Sequence, residues 1–310
     1  MKVAITGAAG MLGSAMCPAF RAAGHDVAAT DLVPHGDVER LDVRKFADVR
    51  STLRAAAAEM VLHLAAETDL ETSERDVDHA YLTNSVGTQH VSLACRELGV
   101  PMVYISTAGV FDGTKSDPYT EFDRPNPINV YGNSKYQGEL IVQRILPPHF
   151  IVRAGWMIGG GYRDHKFVSK VLDQVKAGAD VIYAVTDKRG TPTYTEDFAR
   201  NLIALTATEN YGLYHMTCEG EGTRYDVARA IIDHCGLDGV EVRPVTSEHF
   251  ADSFPAPRPA SEAMRNQMLD LIGLNMMRPW RLALGAYLDA AAMAEDVHMK
   301  PSRVGAGSSA

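Results

Sequence analysis

The chain has 310 residues, enough for one large α/β unit with a smaller companion lobe and for a core that needs no cross-links. Its 30 Lys and Arg residues against 39 Asp and Glu residues give a formal charge of -9, which argues against nucleic acid as the main partner. Hydrophobic residues at 46% and charged residues at 22% exclude a disordered or fibrous protein.

Cysteine spacing and hydropathy indicate the compartment. The four cysteines are far apart and form no CxxC pair, so we predict neither a zinc site nor a disulfide framework, and a reducing cytoplasm fits best. Glycines near the N-terminus argue against a signal peptide. No run reaches the roughly 18 unbroken apolar residues of a membrane span. We therefore expect a cytoplasmic protein with no membrane partner.

Apolar patterning predicts alternating strands and helices in the first half of the chain. In chain order they are a strand at 2–6, a helix at 11–23, a strand at 26–30, a helix at 43–58, a strand at 60–64, a helix at 80–98, a strand at 102–106, a helix at 133–145 and a strand at 150–153. This alternation implies parallel strands with right-handed crossovers, hence a Rossmann-like, doubly wound parallel sheet of the α/β class. Ligands are expected beyond the carboxyl ends of its strands.

A glycine-rich turn joins the first strand to the first helix. Gly7, Gly10 and Gly13 are three residues apart, as expected of a turn that bends sharply and lets a pyrophosphate approach the backbone. The helix that follows is predicted to begin at Met11. The free backbone N–H groups of its first residues, Met11 and Leu12, would face the phosphates. The motif and its context predict a dinucleotide-binding site.

Asp31 ends the second predicted strand, 18 residues after Gly13, where its carboxylate can accept hydrogen bonds from ribose hydroxyls. The same charge repels the 2′-phosphate of NADP, so NAD(H) is the favoured cofactor. NADP(H) stays open, because Arg40 or His35 is close enough in sequence to offset that repulsion.

The second half has a looser pattern, with helices predicted at 167–177, 196–206, 224–235 and 280–294. We predict two interleaved lobes. Residues 1–155 and about 186–215 form the dinucleotide-binding domain, and about 156–185 and 216–295 form a smaller C-terminal substrate-binding lobe. The small, polar residues 296–310 are predicted to be a flexible tail.

Tyr131 and Lys135 stand four residues apart near the start of a predicted helix. This spacing puts both side chains on one helical face, where an ammonium is expected to lower the pKa of the phenol and suit it to protonate a carbonyl oxygen. Ser106 and Thr107 stand at the end of another strand, at the same edge of the sheet. A hydroxyl there can hold the same carbonyl oxygen.

These motifs resemble the extended short-chain dehydrogenase/reductase superfamily, and within it the dTDP-4-dehydrorhamnose reductase family. The likeness runs from about residue 2 to about residue 288. Its narrower stretches are VFDG at 110–113, GTPTY at 190–194, APRP at 256–259 and RPW at 278–280. The resemblance implies NAD(P)H-dependent reduction of the C4 ketone of a nucleotide-linked deoxysugar, and a homodimer.

By matching position, the resemblance implies that Tyr131 is the general acid and that Thr107 lies beside the ketone. Lys135 is then the electrostatic partner of Tyr131 and a contact of the nicotinamide ribose. The implied contacts beside adenine and pyrophosphate are Asp42, Val43, Ala65 and Ala66. Substrate contacts are implied at Thr107 and Ala108, at Trp156 as a stacking surface for the sugar, and at Arg258 as a phosphate contact.

The chain departs from the family beside the catalytic threonine. Family members usually carry Asp-Tyr there, whereas this chain has Ala108 and Gly109, which removes a carboxylate and a phenol. Dehydratases of the superfamily need an Asp-Glu pair at this point, so dehydration is not predicted. The segment 67–74 is also more acidic than usual. The identity of the sugar and of its nucleotide stays open.

Two other functions are alternatives. A nucleotide-sugar epimerase of the same superfamily shares the Thr, Tyr and Lys set, although the narrower stretches favour a reductase. The regulatory subunit of methionine adenosyltransferase resembles these reductases and acts through a protein partner, although the intact catalytic set favours turnover. The histidines show no metal-ligand spacing, so we predict no required metal, and His63 is predicted to be a packing residue.

Overall fold

The structure is a computed structural model that describes residues 1–295, so the predicted tail at 296–310 lies outside the described residues. Seven parallel strands form the central sheet, in the order β11-β6-β5-β4-β1-β2-β3. These strands are β1 (Lys2–Thr6), β2 (Asp26–Asp31), β3 (Glu39–Arg40), β4 (Met60–His63), β5 (Met102–Thr107), β6 (His149–Ala154) and β11 (Gly212–Met216). The Rossmann-like, doubly wound sheet predicted from the sequence is confirmed.

Helices cover both faces of the sheet. They are α1 (Met11–Ala22), α2 (Phe46–Ala55), α3 (Leu70–Arg75), α4 (Val77–Tyr81), α5 (Gly87–Leu98), α6 (Val130–Ile145), α7 (Phe167–Lys176), α8 (Thr195–Thr206), α9 (Arg224–His234), α10 (Gln267–Leu271) and α11 (Trp280–Glu295). Short 3-10 turns lie at Ala108–Val110, Gly161–Arg163 and Ser247–Phe250. Within residues 1–295, no helix is long and apolar enough to cross a membrane.

Successive side chains of the buried strands point to opposite faces of the central sheet, so a hydrophobic core lies on each face. In β1, Val3 and Ile5 join the cluster that includes α1 and α8, while Ala4 joins the cluster that includes α2, α5 and α6. Both faces of β1 are covered, which explains why its sequence is a continuous apolar run.

The remaining strands form three pairs outside the central sheet. They are β7 (Trp156–Ile158) with β10 (Pro192–Tyr194), β8 (Val181–Val185) with β13 (Glu241–Val245), and β9 (Arg189–Gly190) with β12 (Gly222–Thr223). These pairs lie apart from the central sheet, to which the chain returns at β11, and the division into two interleaved lobes stays a prediction.

Three predicted helices have different bounds. The helix predicted at 43–58 is shorter and spans Phe46–Ala55. The helix predicted at 80–98 is α4, a π-helical turn at Leu82–Val86 and α5. The helix predicted to begin at 133 begins at Val130, because the Asn129 side chain caps it by accepting a hydrogen bond from the Gly132 N–H at 2.7 Å. This earlier start places Tyr131 in the first turn of α6.

Candidate active site

A cavity of about 1270 Å³ lies at the carboxyl edge of the central sheet. The turn after β1 and the segments after β2 and β4 line one side, and the ends of β5 and β6 line its base. Residues from β8, α7, α9 and the segment 254–262 line the other side. A cavity is therefore present at the edge of the sheet where the sequence predicts that ligands bind.

Two positions in the glycine-rich turn admit no side chain. Gly7 has a φ of +73°, and a methyl group built on it would lie 2.5 Å from the Ala65 nitrogen. A methyl group on Gly13 would lie 2.4 Å from the Ala8 carbonyl oxygen, so glycine allows α1 to pack closely on the turn. Gly10 caps α1 without a side-chain hydrogen bond. The first N–H groups of α1 accordingly have no side-chain cap.

Asp31 ties the turn to the end of β2. Its carboxylate accepts hydrogen bonds from the backbone N–H of Ala9 at 3.0 Å and of Val33 at 3.2 Å. A carboxylate offers about four lone-pair positions, so two stay available on the cavity side. Asp31 is therefore both a structural part of the turn and a candidate acceptor for ribose hydroxyls.

Asp42 and Val43 both border the cavity, with Val43 almost fully buried. Asp42 forms a two-bond ion pair with Arg44, 2.8 Å to both Nε and Nη2, which lowers the pKa of the carboxyl group. Arg44 also borders the cavity, as does His35, whereas Arg40 does not. The sequence argument missed Arg44, although it lies only two residues from Asp42.

Ala65 and Ala66, which follow β4, also line the cavity. Beneath them His63 is fully buried, with Nδ1 2.8 Å from Oγ1 of Thr6 and Nε2 3.1 Å from Oγ1 of Thr88. Burial, and the charge of Lys135, lower the pKa of His63 to about 3, so its ring is neutral near pH 7. This geometry agrees with packing rather than proton transfer.

Tyr131 reaches Thr107 because α6 approaches the turn after β5 very closely. A methyl group on Gly132 would lie 2.1 Å from the carbonyl oxygen of Gly109, so only glycine allows this approach. Both residues border the cavity, and Thr107 is close enough to lower the pKa of Tyr131. The structure thus brings together two hydroxyls that are 24 positions apart in the sequence.

The pKa of Tyr131 does not move in the expected direction. Burial raises it to about 12, and the negative charges of Glu262 and Glu67 add to this, while the hydrogen bond with Thr107 opposes it. The expected lowering by Lys135 is therefore wrong in this structure. Burial outweighs any effect of the ammonium.

Lys135 is buried and lies one helical turn after Tyr131. Its Nζ is 4.2 Å from the centre of the Tyr104 ring, a cation–π contact. Burial lowers the pKa of Lys135 to about 7, although the carboxylate of Glu139 opposes the shift. The lysine therefore changes charge near neutral pH.

Asn84, in the π-helical turn, holds this part of the site together. Its Nδ2 donates to Oγ of Ser134 at 2.9 Å and to the carbonyl oxygen of Glu67 at 3.0 Å, and its Oδ1 accepts from the Glu67 N–H at 2.8 Å. Ser134 in turn donates to the Tyr131 carbonyl oxygen. The sequence argument missed Asn84, because an isolated asparagine in a helical pattern carries no signal of its own.

One predicted substrate contact is wrong. Ala108 is 2% exposed and packs with Val110, Phe111, Tyr119 and Met264, away from the cavity. Ala108 begins the 3-10 turn that follows β5, and its side chain joins this cluster, whereas its neighbours Thr107 and Gly109 border the cavity.

Ser106 borders the cavity, but its hydroxyl is already engaged, since it donates to Oε1 of Glu139 at 2.5 Å. Arg153 binds the same carboxylate with two hydrogen bonds, and both charged side chains are almost fully buried. This pair lies under the base of the site and supports β5, β6 and α6. Of the two hydroxyls predicted at the end of β5, only that of Thr107 faces the tyrosine.

Trp156 borders the cavity at the start of β7 and is already in contact with other residues. The Arg224 guanidinium lies 3.7 Å from the ring centre, and Gly190 is so close that a methyl group on it would lie 2.2 Å from the indole. A sugar could stack on the ring face that Arg224 covers only if this guanidinium moved. Arg224 borders the cavity and was missed by the sequence argument.

Arg258 also borders the cavity, but it is paired. Its Nη2 donates to Oε1 of Glu71 at 2.6 Å, and its Nη1 donates to the carbonyl oxygens of Phe254 and Ala256. A phosphate would have to compete with Glu71 for this guanidinium. Within residues 1–295, no three His, Cys, Asp or Glu side chains are grouped to hold a metal ion.

The chain is similar to proteins of one named family. Residues 1–293 match the family model described as RmlD substrate binding domain. A dTDP-4-dehydrorhamnose reductase from Mycobacterium tuberculosis is 34% identical over 296 residues, covering 94% of this chain and 93% of that protein. A dTDP-4-keto-6-deoxy-D-glucose reductase from Streptomyces niveus is 34% identical over 283 residues, covering 90% of this chain and 94% of that protein.

A solved structure has the same architecture. The dTDP-4-dehydrorhamnose reductase from Bacillus anthracis, determined in complex with NADP, has a TM-score of 0.85 and 32% sequence identity, covering 93% of this chain and 98% of that one. The sequence match to the family and the match to this solved structure each extend along nearly the whole chain. We conclude that the chain belongs to the dTDP-4-dehydrorhamnose reductase family.

Proposed function

We propose that this chain reduces the C4 ketone of a nucleotide-activated 4-keto-6-deoxysugar in an NAD(P)H-dependent reaction, with Tyr131 as the proton donor. The observation that carries the proposal is that Tyr131 and Thr107 line the same cavity as the glycine-rich turn, with Thr107 close enough to lower the pKa of Tyr131. A cofactor at the turn and a ketone at the two hydroxyls would then share one space.

The residues around the turn fit a nicotinamide dinucleotide. The backbone at Gly7 and Gly13 leaves no room for side chains, and the first N–H groups of α1 suit a pyrophosphate. The residues that would hold the dinucleotide are Gly7, Gly10, Met11, Leu12, Gly13, Asp31, Asp42, Val43, Ala65, Ala66, Tyr131 and Lys135. When bound, the nicotinamide supplies the hydride.

We infer that NADH is preferred to NADPH. Asp31 presents a carboxylate where the adenosine ribose is expected, and a 2′-phosphate there would meet like charge. Arg44, a cation that borders the cavity beside Asp42, already forms two hydrogen bonds with that residue. Neutralising a phosphate would require Arg44 to leave that ion pair.

Three side chains perform the proton chemistry in this proposal. Tyr131, with a pKa of about 12, is protonated at neutral pH and can donate to the ketone oxygen. Thr107 Oγ accepts a hydrogen bond from the Gly109 N–H at 3.0 Å, which leaves the hydroxyl proton free to hold that oxygen. The Lys135 ammonium, four residues from Tyr131, would offset the charge as the phenol gives up its proton.

The opposite wall of the cavity suits a diphosphate-linked sugar. Arg224, Lys188 and Arg258 place positive charge there, and Trp156 adds an aromatic surface. Arg224 is buried enough that its pKa falls to about 10, and no carboxylate among the described residues forms an ion pair with it, unlike Arg258 with Glu71. We therefore assign the nucleotide diphosphate to Arg224 first and to Arg258 second.

The test is the near-ultraviolet absorbance of NADH, and separately NADPH, mixed with purified protein and dTDP-4-keto-6-deoxyglucose. Each reaction is run with and without the C3/C5 epimerase that makes the dehydrorhamnose epimer. Oxidation that requires the epimerase supports a dehydrorhamnose reductase. Oxidation without the epimerase supports the activity for which the Streptomyces niveus relative is named.

The alternatives give different results in the same assay. A nucleotide-sugar epimerase would interconvert sugar alcohols with no net oxidation of NADH. A regulatory dinucleotide-binding subunit would bind NADH tightly and oxidise none with any ketone. Either result would contradict the proposed reduction.

A further inference from the structure

Glu262 is one of two carboxylates, with Glu67, that border the cavity and raise the pKa of Tyr131. Glu262 lies in the segment between β13 and α10, far from the catalytic motifs in sequence. Its backbone N–H donates to the Arg189 carbonyl oxygen at 2.8 Å, and the Arg189 N–H donates to the Ala260 carbonyl oxygen at 2.9 Å. This pairing with β9 fixes the backbone from which the side chain enters the cavity.

The first oxygen of the Glu262 carboxyl group is held in place. Oε2 accepts a hydrogen bond from Nε1 of Trp156 at 2.8 Å. Burial raises the pKa of Glu262, while this hydrogen bond and the positive charges of Arg224, Arg258 and Lys188 oppose the shift. The side chain therefore has one orientation, set by the indole that lies under Arg224.

The second oxygen points toward Gly109. A methyl group built on Gly109 would lie 3.6 Å from Oε1 of Glu262 and 3.4 Å from Oγ1 of Thr107, so both oxygens border one small space. The charge of Glu262 also contributes to the raised pKa of Tyr131, as expected for a close neighbour. No hydrogen bond to Oε1 is present among the described residues.

Gly109 and Glu262 together change the chemistry beside the catalytic threonine. The Cβ atom of a side chain at position 109 would lie 3.6 Å from Oε1 of Glu262. A long side chain at this position would therefore compete with the carboxylate for space. Glycine leaves that space open. A carboxylate is thus present beside Thr107, supplied by the segment before α10 rather than by the residue that follows the threonine.

The ketone that we propose as substrate has one neighbouring hydroxyl. In a 4-keto-6-deoxyhexose, C3 carries a hydroxyl, whereas C5 carries a methyl group and the ring oxygen. We propose that Oε1 of Glu262 accepts a hydrogen bond from the C3 hydroxyl when the ketone oxygen is held by Tyr131 and Thr107. Glu262 is then a specificity-determining residue that selects sugars hydroxylated next to the ketone. This inference rests on the proposed function for the position of the sugar.

The selection between sugars depends on Oε1 of Glu262, an acceptor with no hydrogen-bond partner among the described residues. A site built to bond a hydroxyl discriminates against the analogue that lacks it, because the polar group of the protein then loses its partner in a desolvated cavity. A hydrogen bond to a charged group is strong enough for a difference of about 10- to 100-fold in affinity.

The test uses reduced sugars, so that it does not depend on turnover. Calorimetry measures the binding of a dTDP-6-deoxyhexose with a C3 hydroxyl, and of its 3-deoxy counterpart, to the full chain saturated with NAD. We expect the wild type to bind the hydroxylated sugar about 10- to 100-fold more tightly. Glu262→Ala should abolish the difference, mainly by weakening binding of the hydroxylated sugar.

Two further variants keep the test decisive. Glu262→Gln preserves shape and the bond to Trp156 but removes the charge, so the preference should fall several-fold even if the alanine variant fails to fold. Glu248→Ala, which changes an exposed carboxylate outside the cavity, should keep the wild-type preference.

Equal binding of both sugars by the wild type, or a preference unchanged in Glu262→Gln and Glu262→Ala, would overturn the proposal. Failure to reduce any ketone in the absorbance assay would overturn the proposed function alone.

Discussion

Tyr131 and Lys135 share one face of α6 but have different surroundings. Burial and the negative charges of Glu262 and Glu67 keep the phenol protonated, with a pKa of about 12, although Thr107 opposes the shift. The ammonium lies over the Tyr104 ring, and burial lowers its pKa to about 7. At the residue scale the site therefore holds a protonated phenol and, one helical turn later, a lysine that loses its charge near neutral pH.

Replacing Tyr131 by Phe tests the donor. The variant keeps the ring and its packing but loses the hydroxyl, so we expect turnover to fall about 10²- to 10⁴-fold. Binding of NADH, measured by fluorescence titration, should change less than about two-fold, since a proton donor contributes to the transition state. Tyr136→Phe, in the same helix and packed against the Ala108 cluster, is the matched control and should retain activity. Normal turnover in Tyr131→Phe would remove this tyrosine from the mechanism.

The lowered pKa of Lys135 predicts a pH dependence of stability. Between about pH 7 and 10.5 the unfolded chain holds a proton on this lysine that the folded chain has lost, so folding stability rises with pH in that window. The free energy of unfolding of the wild type should rise relative to Lys135→Met by about 1 kcal/mol per pH unit. Urea titrations at several pH values measure this slope.

An exposed lysine provides the comparison for that slope. Lys45 lies at the start of α2 and is exposed, so Lys45→Met should show no such pH-dependent difference from the wild type. A slope of zero or of opposite sign for Lys135→Met would show that burial does not disfavour its charge.

At the scale of elements, the site depends on how closely α6 approaches β5 and the turn after it. Glycine permits the contact at two points, because a methyl group on Gly132 would lie 2.1 Å from the Gly109 carbonyl oxygen and one on Gly138 would lie 2.2 Å from the Tyr104 hydroxyl. The Asn129 cap fixes where the helix begins. Together these contacts determine the distance between the hydroxyls of Tyr131 and Thr107.

Gly132→Ala should disturb stability and catalysis together. The added methyl group meets backbone atoms that cannot move aside independently, so α6 must shift away from the turn. We expect a loss of about 1 to 3 kcal/mol in the free energy of unfolding, measured by urea titration, and a fall in kcat. Gly239→Ala is the control, because no atom lies within 4 Å of the added methyl group. A Gly132→Ala variant as stable and active as the wild type would contradict the close approach.

At the scale of the whole molecule, the sheet and the glycine-rich side of the cavity were predictable from the sequence. Buried parallel strands read as continuous apolar runs, and the glycine-rich turn and Asp31 follow the first two of them. The motif alone did not show which way the Ala108 side chain points. That direction depends on how the backbone turns after Thr107, the last residue of β5.

The side of the cavity that we propose for the sugar was much less predictable. Its strands are short, and Arg224 and Glu262 come from segments that only the tertiary fold brings to Trp156. Neither residue has a local pattern that distinguishes it from a surface arginine or glutamate. The missing carboxylate after Thr107 was visible in the sequence, whereas its counterpart at position 262 was not.

The measurement that tests the central claim most directly is isotope transfer. The protein is incubated with NADH deuterated at the transferable position of the nicotinamide and with the 4-keto-6-deoxysugar nucleotide, and the product is examined by NMR and mass spectrometry. The account predicts one deuterium in the product, bonded to C4. A reduced product with no deuterium, or with deuterium at another carbon, would contradict it.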